Sequence, residues 1–141
     1  MTVNEIQDTI IEEFSEFDDW MDKYNILIDL GKELPVINPV FKTKDFLIEG
    51  CQSKVWLHPE FNRDKIFFTA DSDAIITRGI VALLIKVLSD RTPDEIISAD
   101  LYFIEKIGLR QNLSPTRSNG LLAMIRQIKL YAMAYQAKQK S

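Results

Sequence analysis

The chain has 141 residues, of which 46% are hydrophobic and 27% charged, and carries a net charge of −4. That is long enough for one domain (residues 1–141) with a sizeable core, and too acidic for a nucleic-acid binder, which needs a basic surface. One cysteine and one histidine are too few soft ligands for a structural zinc site or an iron–sulfur cluster, and one cysteine cannot close an intrachain disulfide.

The N-terminus, "MTVNEIQDTIIEEF", is acidic and lacks the basic start and apolar core of a signal peptide. It places Val3, Ile6, Ile10, Phe14 and Phe17 at helical spacing, predicting an amphipathic helix. A second helix follows with Trp20, Tyr24, Leu27 and Leu30 on one stripe. Gly31 is its expected stop, and Pro35 and Pro39 then hold an extended connection. The middle reads as three short strands, Phe46 to Glu49, Lys54 to His58 and Lys65 to Ala70, with "HPEFNRD" as the polar loop between the last two. If the first two strands pair, Gly50 to Ser53 is their turn and Cys51 sits at its tip.

"ADSDAIITRGIVALLIKVLSD" changes period. Asp71 or Ser72 is the expected cap, and only Thr77, Arg78 and Lys86 break a helix that is otherwise apolar all round, as a central buried helix is. Its apolar run, Gly79 to Leu88, is too short to span a bilayer. The chain therefore reads as cytoplasmic, without a membrane segment, where a free thiol survives. "TPDEI" is a capping box with Thr92 as N-cap, Pro93 at N1 and Glu95 at N3. Leu101 to Leu109 predicts another helix. The last one begins with Ser114 as N-cap and Pro115 at N1, and turns Leu121, Ile125, Ile128, Ala132 and Tyr135 inward. Central strands between flanking helices predict an α+β fold, with a small antiparallel sheet of about three strands packed against several helices.

Cys51 is the first candidate for chemistry. A lone cysteine often serves as a small buried hydrophobe, but this one has unusual neighbours. Gly50 permits positive φ, and Gln52 and Ser53 bring an amide and a hydroxyl that can hydrogen-bond sulfur. By strand alternation Cys51 shares the face of Ser53, Val55 and Leu57, the expected core face. A thiol tucked away there and exposed by movement of the turn would be shielded from oxidation. A Cys–His hydrolase pair is rejected, because His58 falls on the opposite face and reads as a solvated loop residue. Arg117 falls at N3 of the last helix, where a carboxylate usually stands. A structural ion pair and a functional cation facing an anionic sulfur both fit it. Asp71, Ser72 and Asp73 form a third group, for which capping and dipole complementarity are the simpler explanation.

The segments "LIDLGKELP", "GCQSKVWL", "ADSDA", "TPDEI" and "LSPTRSNGLLAMI", in this order and spacing, resemble the SufE family of sulfur-acceptor proteins from about Tyr24 to Met133. The sequence departs from that pattern in its N-terminal helix and in "KTKDFLIE". The resemblance implies an α+β fold similar to iron–sulfur scaffold proteins. It implies that Cys51 carries sulfane sulfur as a persulfide, with Gly50, Gln52, Ser53, Asp71, Ser72, Asp73 and Arg117 in support. It further implies a cysteine desulfurase as donor and an iron–sulfur scaffold complex as recipient, and it admits a homodimer. No cofactor is expected here, since the pyridoxal phosphate belongs to the desulfurase. The alternative is an adaptor that regulates the desulfurase by binding alone.

Overall fold

The computed structural model describes residues 1–140. Helix α1 (Val3–Ser15) opens on a capping box that pairs Thr2 with Glu5, and α2 (Trp20–Lys32) on Asp19, whose carboxylate accepts from the Met21 N–H. Ile10 and Phe14 turn α1 into the core, whereas Phe17 lies beyond its end and is exposed. Gly31 does not stop α2. It lies inside the helix and is buried where α2 crosses α3 (Ile75–Leu88), and a Cβ on it would come 3.1 Å from the Gly79 backbone nitrogen. Two glycines let the helices approach backbone to backbone. As expected, α3 is buried almost all round, from Gly79 to Ile85 without a break.

The sheet has two strands rather than three: β1 (Val55–Asn62) and β2 (Lys65–Ser72), antiparallel, with Val55 opposite Ser72 and Asn62 opposite Lys65. Much of the expected polar loop is strand. Its turn shrinks to Arg63 and Asp64, both at positive φ (53° and 68°), the geometry of a tight two-residue hairpin. Pro59 is tolerated in β1 because its missing N–H falls in an edge strand. The stretch expected as a first strand forms only one bridge, Leu47 to Trp56, with the Ile48 N–H donating to the Val55 carbonyl at 2.8 Å. Lys44–Phe46 instead winds into a 3-10 turn, which lays Phe46 edge-on to His58 while Phe41 stacks on that ring at 3.7 Å. Bridges from Val36 to Ala70 and from Arg91 to Ile66 cover further sheet positions.

Nor does Asp71 or Ser72 cap α3, because β2 runs through both; the cap residue is Ala74, whose N–H donates to the Ser72 hydroxyl at 3.2 Å. After α3, the Thr92–Glu95 capping box starts α4 (Pro93–Ser98) as expected. The next helix is much shorter than Leu101 to Leu109. It is α5 (Phe103–Lys106), closed when Gly108 takes φ +74° and the N–H groups of Gly108 and Leu109 return to Glu105 and Ile104, a Schellman stop. Helix α6 (Pro115–Lys140) begins at Ser114, whose hydroxyl accepts from the Arg117 N–H at 3.2 Å. Leu121, Ile128 and Ala132 are buried and Ile125 and Tyr135 partly so. Lys129 fastens α6 to α4 by donating to the carbonyls of Ile97 and Ala99. The sheet and helices share one hydrophobic core. Among the described residues no helix is long and apolar enough to cross a membrane.

Candidate functional site

Cys51 sits in the turn between the Leu47 bridge and β1, where the sequence placed it. Gly50 makes that turn at φ +92°, a conformation that strains any other residue, and a Cβ there would meet Ala123 of α6 at 3.3 Å. The turn therefore lies directly on the N-terminal half of α6. Asp73 holds its exit: the carboxylate accepts from the Lys54 N–H at 3.0 Å, and the Asp73 N–H returns to the Lys54 carbonyl. Val55 and Leu57 are fully buried, so Cys51 lies at the core end of the strand, as alternation requires.

The thiol is half-buried and free. Its Sγ lies 3.6 Å from the Gly120 carbonyl oxygen, to which it donates. A Cβ on Gly120 would sit 3.5 Å from Sγ, in ordinary contact with it. Burial pushes the thiol's pKa up, so the resting group is the protonated thiol. Around it is a cavity of about 180 Å³, lined from three elements: Cys51, Gln52 and Ser53 from the turn, Thr77 and Ile80 from α3, and Ser114, Thr116, Arg117, Gly120 and Met124 from α6. Its polar groups are mostly neutral hydroxyls. Arg117 supplies the one charged side chain in the lining, beside the first turn of α6, where the helix dipole also favours an anion. No salt bridge engages Arg117 among the described residues, which removes the structural ion pair as its explanation.

The expected residues therefore divide. Cys51, Gln52, Ser53 and Arg117 share the cavity and Gly50 shapes the turn. Asp71, Ser72 and Asp73 lie outside its lining. Asp71 receives Lys42 and Arg78, each at 3.0 Å. Burial alone would raise its pKa, but the hydrogen bonds from Lys42 and the Ser72 N–H and the charges of Arg78 and Lys42 outweigh it and hold the carboxyl below the usual aspartate range. Ser72 is buried and bonds the Ala74 N–H. These three brace the ends of β2 and the turn. His58 is no solvated loop residue: it lies in β1 between Phe41 and Phe46, and burial lowers its pKa against the opposing pull of Glu60.

Sequence reasoning passed over Gly120 and gave Thr77 and Thr116 no role at the thiol. Gly120 carried a legible signal, a glycine inside a helix at a cost of about 1 kcal/mol relative to alanine. Thr77 stood out only as a break in an apolar pattern.

A family model described as "SufE: Fe-S metabolism associated domain" matches residues 8–132. The chain belongs to the SufE family. This SufE chain is 41% identical over 127 residues to uncharacterised SufE-like proteins of Rhizobium meliloti and Rhizobium etli, covering 86% of this chain and 91% and 86% of theirs. It is 37% identical over 130 residues to SufE-like protein 1, chloroplastic/mitochondrial, of Arabidopsis thaliana, covering 92% of this chain and 35% of that protein. Its fold resembles that of a hypothetical protein from Thermus thermophilus solved in solution, with TM-score 0.77 and 16% identity, covering 94% and 96% of the two chains. The family is associated with iron–sulfur metabolism, and the α+β fold expected for SufE is the one found.

Proposed function

We propose that this SufE protein is a cytoplasmic sulfur acceptor. It takes sulfane sulfur from a cysteine desulfurase as a persulfide on Cys51, stimulates that enzyme and delivers the sulfur to an iron–sulfur scaffold complex. One observation carries the reading: the chain's single cysteine is half-buried on a turn, in a cavity whose only charged lining residue is Arg117.

In acceptance, the Cys51 thiolate attacks the terminal sulfur of the donor's persulfide, and the donor cysteine leaves as thiolate with the electron pair. In delivery, an acceptor thiolate attacks the outer sulfur on Cys51 in the same way. Neither step needs an oxidant or a general base fixed in this chain. The resting thiol is protonated and bonded to the Gly120 carbonyl, so acceptance requires docking of the donor to free the thiol from that bond, and its proton passes to the departing donor thiolate or to water. Between transfers the cavity shields the sulfur from solvent, as suits a readily oxidised group. The pyridoxal phosphate that generates the sulfur belongs to the desulfurase.

Replacing Cys51 by serine separates carrier from adaptor. The carrier loses its stimulation of a matched desulfurase, measured as sulfide or alanine release; an adaptor acting by binding alone retains it. Arg117→Ala is expected to slow sulfur acceptance by about tenfold, the value of one charge-assisted contact, with an unchanged melting temperature. An unaltered transfer rate would make Arg117 a bystander.

A further inference from the structure

Thr77 is 5% exposed, yet among the described residues no hydrogen bond satisfies its hydroxyl, not even the return to a preceding carbonyl that helical threonines commonly make. The hydroxyl is not sealed in apolar packing. Thr77 is one of the residues that line the cavity holding Cys51. A hydroxyl with no protein partner beside a cavity is available to an occupant of that cavity, and the rest of the lining indicates which. The resting Sγ bonds to Gly120 on the α6 side of the cavity, and no bond joins it to Thr77 on the α3 side. A second sulfur extends the side chain by about 2 Å and changes what it needs. The thiol is a neutral donor, suited to a carbonyl. A persulfide ionises more readily, and its terminal sulfur is then an anionic acceptor that a carbonyl repels and a hydroxyl attracts.

We propose that the Thr77 hydroxyl is the donor that receives the terminal sulfur of a Cys51 persulfide, so that the cavity has one seat for the empty carrier at the Gly120 carbonyl and another for the loaded carrier at Thr77. This rests on the persulfide reading of Cys51 and extends it to the residue that distinguishes the two states. Among groups facing the sulfur, those of the turn (Gln52, Ser53), of α3 (Thr77, Ile80) and of α6 (Ser114, Thr116, Gly120, Met124) are neutral. Arg117 supplies general attraction for either anion. Arg78, next to Thr77, is turned away to Asp71 and the Ser72 carbonyl. Thr77 is thus the polar side chain that α3 contributes to the lining around the sulfur.

The test compares the full chain with Thr77→Val, which keeps the shape and removes the hydroxyl, and Thr77→Ser, which restores it. Each is loaded with inorganic polysulfide, so that no desulfurase is needed. The Cys51 thiolate attacks one sulfur of the chain, an S–S bond breaks, and a polysulfide one sulfur shorter leaves with the electron pair, giving the Cys51 persulfide anion. The persulfide is titrated by its near-ultraviolet absorbance and the unloaded thiol by its alkylation rate against pH. In Thr77→Val the persulfide midpoint should rise by about one pH unit, a tenfold loss of ionisation, while the thiol midpoint stays in place; Thr77→Ser should return to the wild-type value. A persulfide midpoint unmoved in Thr77→Val overturns the proposal, as does an equal shift of thiol and persulfide. Failure of the carrier reading shows separately, as a wild-type chain that polysulfide loads and a competent desulfurase does not.

Discussion

Gly79 and Gly120, both inside helices that face a neighbour, differ in what the missing side chain leaves behind. At Gly79 the space is filled: a Cβ there would sit 2.7 Å from the Leu27 carbonyl carbon and 3.0 Å from the Leu27 side chain, so α2 and α3 are locked together. At Gly120 the nearest atom is the Cys51 sulfur at 3.5 Å, an ordinary contact distance, and the space opens into the cavity. The first glycine serves packing. The second leaves room beside a reactive atom, at the helix-propensity cost of a glycine in α6. Close packing fixes the core, while the site is the place where packing is held back.

Three measurements can break or sharpen that contrast. The largest effect is expected at Gly79→Ala, which should destabilise the fold by about 3 kcal/mol or yield no folded protein, because backbone rather than a flexible side chain must move. A chemical denaturation midpoint within error of wild type would show that the crossing yields. Gly120→Ala should do the opposite to stability, gaining about 0.5–1 kcal/mol from helix propensity, while slowing persulfide loading because the methyl takes space beside Sγ. Unimpaired loading would mean that the second sulfur does not use that space. The smallest effect lies on the other face of β1, at the His58 stack. Burial lowers this imidazole below its usual 6.5, so the unfolded chain takes up the proton first and folding stability is lost as pH falls below that value. His58→Gln should flatten the loss in thermal melts between neutral and mildly acidic pH; an unchanged slope would place the titration elsewhere.

The same contrast explains what was legible in the sequence. Periodicity revealed the helices at Val3 and Trp20, and caps those at Pro93 and Pro115, because Thr92 and Ser114 act through neighbours three residues away. The buried character of α3 was equally plain from composition. Features that depend on distant partners were harder to read. Gly31 looks like a helix stop until α3 is known to cross there. Phe46 to Glu49 looks like a strand until Phe46 is seen against His58. At the site, Cys51 and its turn could be read because Gly50, Gln52 and Ser53 are adjacent in sequence. That Gly120 and Thr77 meet there could not, although a glycine inside a helix stands out, since they lie 69 and 26 residues away in the numbering. Asp71 drew attention through its motif, yet its carboxylate is used up by Lys42 and Arg78.

The central claim is that Cys51 carries sulfur, and intact-protein mass tests it most directly. The chain is incubated with a competent cysteine desulfurase, pyridoxal phosphate and free cysteine, then weighed without reductant. The account predicts a gain of one sulfur atom that reductant removes and that Cys51→Ser never shows. A chain that stimulates the desulfurase yet stays at its original mass would contradict it and leave an adaptor that acts by binding alone.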